Sequence, residues 1–280
     1  MYELITLFFV VLLFIRNFAK KKDTMFGFPE ATYKTYKHNF LRKIEIKFLF
    51  SRIELKDKES LAKEYISPLF PDFQLEKKLN FIFDLQNTNE VIENKGTEEE
   101  IYFIFKKDKS LLQVTEDSFV LKINGSEYQS LESIIPILEG IIKLASLLGI
   151  DTFQGIDFNK LNILELKEVE ELSNLSYYAH QEYINTEIRK PNQSQLVIND
   201  YRTLTMANLD EKALLILKYG VNSPTNEEGK LNHIFIEIDI TSKEVRTTET
   251  LSTLKKVNKE MFNIFNWTIS DKLINLLEND

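Results

Sequence analysis

A chain of 280 residues with 43% hydrophobic residues, eight Gly and six Pro has enough apolar content for one large core or two small ones, and fits neither a disordered nor a fibrous class. It contains no Cys, which excludes a disulfide framework, a thiol nucleophile and any thiolate zinc or iron–sulfur centre. The net charge of −8 is uneven: residues 1–47 hold nine Lys and Arg against four Asp and Glu, so the other 233 stand at −13, which excludes a general phosphate-binding surface there.

Residues 4–15 are twelve consecutive apolar or near-apolar residues, followed by Arg16 and then Lys20, Lys21 and Lys22. As a helix they would be about 18 Å long, short of the roughly 30 Å of hydrocarbon in a bilayer. Extending the span to residues 2–19 brings Arg16 and Asn17 into the apolar zone. The charge order also opposes export, with Glu3 in front and the lysines behind. Residues 1–24 therefore read either as a leader upstream of a true start at Met25 or as a short anchor with membrane contact through residues 4–22. In both cases the lysines keep the body in the cytoplasm, free or attached to the inner membrane and facing inward.

Beyond the leader, "RKIEIKFLF" alternates Ile44, Ile46, Phe48 and Phe50 with Glu45 and Lys47, the period of a half-buried strand, and places the beginning of the fold near Phe40. "KDKESLAKEYISPLFPDF" predicts a helix with Leu61, Tyr65 and Ile66 on one side, stopped by Pro68 and Pro71. "QLEKKLNFIFDL" and "EEIYFIFKK" predict two strands, and "SLLQVTEDSFVLKING" a hairpin turning at residues 115–117 and closed by Gly125. "SLESIIPILEGIIKLASLLG" is the clearest helix, with Ser130 as N-cap, Pro136 bending its early turns, and Gly149 as C-cap.

The second half repeats this grammar. "FQGIDFNKLNILEL" reads as a strand, "EVEELSNLSYYAHQEYI" as a helix, "QLVINDYRTLTMA", "KALLILKYGV" and "LNHIFIEIDI" as strands, and "TTETLSTLKKVNKEMFNIF" with "SDKLINLLE" as helices. The expected architecture is α+β in two similar halves, residues 25–150 and 151–280. Each half is an antiparallel sheet in the order strand, helix, three or four strands, helix, with its helices on one face.

The phrases "NFLRKIEIKF", "LLQVTEDSFVLKING", "IDFNKLNILEL", "IFIEIDI" and "MFNIFNWTISDKLINLLE", in this order, resemble an uncharacterised family of bacterial and archaeal α+β proteins of about this length. That family has a sporadic, strain-variable occurrence. It shows an Arg-aromatic pair ahead of an Asn-basic pair in its mid-chain strand. Asn159 and Lys160 match the second pair, whereas Ile156 and Asp157 stand in place of the first, so no role tied to that arginine carries over. The resemblance implies no established activity and no cofactor, a setting among mobile or defence-associated genes, and a start at Met25.

Three groups of residues could carry chemistry. On "LNHIFIEIDI", His233, Glu237 and Asp239 share the face opposite four isoleucines; they could gather a divalent metal or serve as acid and base, or be the solvated side of an ordinary antiparallel strand. His180 lies among Tyr177, Tyr178, Glu182 and Tyr183, a cluster that could bind a base or a small aromatic ligand or be the aromatic face of a helix packed on a sheet, and Asp200 lies near Arg202 as an exposed ion pair. In "TYKTYKHNFLRK", Tyr33, Lys34, Lys37, His38, Arg42 and Lys43 have the composition of a single-strand-binding patch, and equally that of a solvated lead-in or a stretch drawn to anionic lipid. No metal-ligand motif, phosphate loop or nucleophile elbow occurs. The expected function is that of a non-enzymatic interaction protein with a protein partner or a second copy of itself. The alternative is a nucleic-acid-processing enzyme or toxin that uses the His233, Glu237 and Asp239 face with the basic-aromatic patch, the only place where nucleic acid could bind.

Overall fold

The computed structural model describes residues 24–32, 36, 40–83, 94–166, 199–222, 225–226, 229–230, 232–269, 274 and 278. Over these residues the fold is α+β, with nine strands in an antiparallel sheet and three helices. In chain order the elements are β1 (Leu41–Leu49), α1 (Glu59–Ile66), β2 (Asp72–Phe83), β3 (Asn94–Lys107), β4 (Ser110–Val114), β5 (Ser118–Asn124), α2 (Ile135–Leu147), β6 (Thr152–Leu166), β7 (Asn199–Asn208) and β8 (Ala213–Asn222). A two-stranded pair, β9 (Thr225–Asn226) and β10 (Gly229–Lys230), precedes β11 (Asn232–Arg246) and α3 (Thr250–Thr268). The sheet order is β2-β3-β4-β5-β1-β6-β11-β8-β7.

The chain divides into two compact units, and the division does not follow chain order. One unit holds residues 41–161 and 241–254, the other residues 1–40, 162–240 and 255–280. Strands β6 and β11 each give one stretch to both.

In the first unit the period-two pattern sets the core. Ile44, Ile46 and Phe48 of β1, Phe103 and Phe105 of β3, Leu112 and Val114 of β4, and Phe119 and Leu121 of β5 are all buried on one face. The antiparallel registers Ile46↔Leu121 and Phe105↔Leu112 bring these side chains opposite each other, where apolar cross-strand pairs stabilise a sheet. Ala62 and Ile66 of α1 and Leu138, Ile141, Leu144 and Ala145 of α2 complete the core. The helix bend expected at Pro136 is not needed. A short 3₁₀ turn (Glu132–Ile134) comes first, and Pro136 falls in the first turn of α2, where its missing N–H costs nothing. Ser130 is not the N-cap expected of it: that position is Leu131 for the 3₁₀ turn and Ile134 for α2, and Ser130 stands one residue earlier, its Oγ accepting from the Ser133 N–H at 3.3 Å. Gly149 ends α2 with φ of +79°, as a C-cap requires.

In the second unit the fold begins well before Phe40, which corrects the expectation from the strand pattern. Met25, Phe26 and Phe28 are buried, and residues 25–32, with Tyr36, lie along α3 as a strap. The Phe26 N–H donates to Glu260 Oε1 at 2.9 Å, the Ala31 N–H donates to Asn263 Oδ1 at 3.0 Å, and the Tyr36 hydroxyl donates to Asn266 Oδ1. These acceptors are spaced three residues apart, so they lie along one side of the helix and satisfy a backbone that has no strand partner there. The Phe28 and Trp267 rings pack edge to face with centroids 4.9 Å apart. Phe28→Ala should therefore cost about 3 kcal/mol in a denaturant titration; a loss near zero would show that the strap adds nothing to the fold.

Candidate functional site

The face of the first unit's sheet opposite the core is built by strand register. Glu45 on β1 stands beside Lys122 on β5, then Leu111 on β4 and Lys106 on β3; the next row is Lys47, Val120, Gln113 and Ile104. All of these side chains are half-buried, in contrast to the fully buried residues that alternate with them. Aliphatic and charged groups are interleaved across it. Ion pairs run along it from Lys43 to Glu45 at 2.6 Å and from Lys122 to Glu45 at 3.9 Å.

At the β4–β5 turn this face sinks into a cavity of about 350 Å³ lined by Lys47, Glu100, Tyr102, Gln113, Val120 and the turn residues 115–118. The turn is fixed by its own side chains, with the Ser118 N–H donating to Thr115 Oγ1 at 2.9 Å and Thr115 Oγ1 donating to Asp117 Oδ1 at 2.7 Å. Arg52 closes one side, holding Glu116 Oε2 through Nε at 2.8 Å and a terminal nitrogen at 2.7 Å. On the other side the Tyr102 hydroxyl donates to Glu100. That hydrogen bond, with burial and the negative charges of Glu100, Asp117 and Glu116, pushes the Tyr102 hydroxyl up to about 12. Tyr102 therefore keeps its proton at physiological pH.

The sequence candidates fall elsewhere. His233 stands on β11, and its side chain lies outside the described residues. Glu237 and Asp239 are half-buried on the same strand, and Glu237 Oε2 accepts from Lys218 Nζ on β8 at 3.2 Å. Among the described residues no three His, Asp or Glu side chains gather closely enough to hold a metal ion. Tyr33, Lys34, Lys37 and His38 lie outside the described residues, as do His180 and its aromatic neighbours. Arg42 and Lys43 are exposed on β1, and Lys43 is paired with Glu45. The Tyr36 ring is taken up by α3, at 6.4 Å from Phe262 and 6.2 Å from Phe265. Asp200 and Arg202 stand on β7 in register with Val221 and Tyr219. The leader is outside the described residues, and among the described helices none is long and apolar enough to cross a membrane.

The chain matches no protein-family model, and no curated protein is similar to it. Its candidate residues therefore stand on geometry alone. Sequence reading missed the cavity because its lining comes from β1, β3, β4, β5 and the segment after β1, and only the register makes them neighbours. The outward phase of each strand was legible and would have nominated Lys47, Gln113 and Tyr102 without grouping them.

Lys160, matched above only by resemblance, has an unusual setting. Its Nζ lies 5.1 Å from the Tyr128 ring and 5.3 Å from the Phe158 ring, and donates to the Tyr128 hydroxyl at 3.4 Å. Burial lowers its pKa from 10.5 to about 7 against the opposing pull of Glu132.

Proposed function

We propose that this is an interaction protein without catalytic activity of its own, binding a protein partner through the open sheet face of the first unit. The carrying observation is that face itself: Leu49, Ile104, Leu111 and Val120 stay half-exposed among Glu45, Lys47, Lys106 and Lys122. A buried core needs one side of this sheet, and a solvated side does not need four large aliphatic residues. The partner would add apolar contact at the centre and meet both signs of charge around it.

The body is proposed to face the cytoplasm, in the mobile or defence-associated setting that the resemblance implies. The absence of Cys and the lysines after residues 4–15 support that placement. The same reading includes two similar halves. Counted outward from the centre of the sheet, β1, β5, β4, β3, β2 on one side parallel β6, β11, β8, β7 on the other, with first and last strands adjacent in each. That symmetry supports a duplication.

The test is a pull-down with the full chain and with the doubly substituted Ile104→Glu, Leu111→Glu chain, combined with light scattering. Capture by the wild type that drops about tenfold or more in the substituted chain is expected, a carboxylate at the centre of an interface costing more than 1.4 kcal/mol. Equal capture by both chains overturns the proposal, as does recovery of nucleic acid alone. A wild-type dimer that the substitutions dissociate identifies the partner as a second copy.

A further inference from the structure

The cavity at the β4–β5 turn has the size of a small-ligand site, and its lining carries both signs of charge. Lys47 stands on one side, and among the described residues its ammonium has no hydrogen-bond or ion-pair partner; the same holds for the amide of Gln113 on the floor. The lining also holds Glu100 and the Arg52-paired Glu116, whose negative charges help hold the proton on Tyr102. Val120 and the Tyr102 ring supply an apolar floor and wall. A ligand that is only anionic would meet the carboxylates, and one that is only cationic would meet Lys47 and Arg52; a molecule with both charges satisfies both sides.

We propose that this cavity binds a small zwitterion, an amino acid or short peptide, with its carboxylate on Lys47 and Gln113 and its ammonium toward Glu100 and Glu116. Lys47 and Val120 belong to both the cavity and the sheet face, but the two readings are tested separately, because Ile104 and Leu111, which test the partner, do not line the cavity. Failure of one therefore leaves the other standing.

Titration calorimetry of the full chain against free amino acids and glycyl dipeptides is the test. At least one should bind saturably, and blocking it as the N-acetyl or the carboxamide form should weaken binding about tenfold or more. Lys47→Met and Glu100→Gln should each weaken it by a similar factor. No saturable binding up to about 10 mM overturns the proposal, as does equal affinity for the blocked forms or for both variants. The blocked ligands act on the unaltered chain, so the outcome stands even where a variant folds poorly.

Discussion

Gly125→Ala should unfold the protein or cost at least about 3–5 kcal/mol, the added methyl meeting a closer contact than at Gly27, Gly140, Gly149 or Gly155. Gly125 opens a one-turn 3₁₀ helix (Gly125–Glu127) directly after β5, and a Cβ built on it would lie 1.6 Å from the Leu41 carbonyl oxygen and 2.3 Å from the Leu41 carbonyl carbon. Neither atom can swing aside, because both are backbone at the start of β1 and the register Lys43↔Asn124 pins the two strands just beyond them. Relief would need the β1–β5 pairing to open from that end, exposing Ile44 and Ile123. Gly149→Ala provides the comparison. It has φ of +79° but nothing within 4 Å of the added methyl, so it should cost only about 1 kcal/mol. Equilibrium denaturation of both variants checks this, and equal losses would refute the close approach as the cause.

Lys160→Met should stabilise the protein near pH 7, and the gain should shrink as the pH rises toward 10.5. The sign follows from the direction of the shift. Burial lowers the folded-state pKa to about 7 from 10.5, so between these values the unfolded chain holds a proton that the folded chain has released. Stability therefore rises with pH through this window, and the cost of desolvating the amine is fully present below it. Part of that cost is offset, since Lys160 keeps some solvent contact and the Tyr128 and Phe158 rings both favour an ammonium. The expected gain is about 1–2 kcal/mol at pH 7. Denaturant titrations of the two chains across this window read the difference directly, and a difference that does not change with pH would show that Lys160 remains charged in the folded state.

Much of the secondary structure was legible because it depends on local spacing. The alternation of Ile44, Ile46 and Phe48 indicated β1, the Thr115-Glu116-Asp117 turn separated β4 from β5, and Gly149 marked the end of α2. The strap was not legible. Residues 25–32 have no period, and what holds them, with Tyr36, is the side of α3 that carries Glu260, Asn263 and Asn266, more than two hundred residues along the chain. Glu260 is only 3% exposed, an environment that no helical pattern assigns to a glutamate.

The candidate sites divide in the same way. That Glu237 faces away from Ile236 and Ile238 follows from a period of two. That it meets Lys218, and that Lys47 and Gln113 flank Val120, follows from which strands are neighbours and in what register. The helices expected over 168–184 and 270–278 lie largely outside the described residues. By itself the amino-acid sequence determined most strands and helices among the described residues, the face each presents to a core, and the absence of thiol chemistry. These depend on residue type and on spacing within one element. Only the tertiary structure decided the sheet order, the docking of the strap on α3, the closeness of Gly125 to Leu41 and the grouping of the cavity residues. Each of these depends on pairing between segments distant in the chain, and the free energy of that pairing is distributed over many contacts that no single segment encodes.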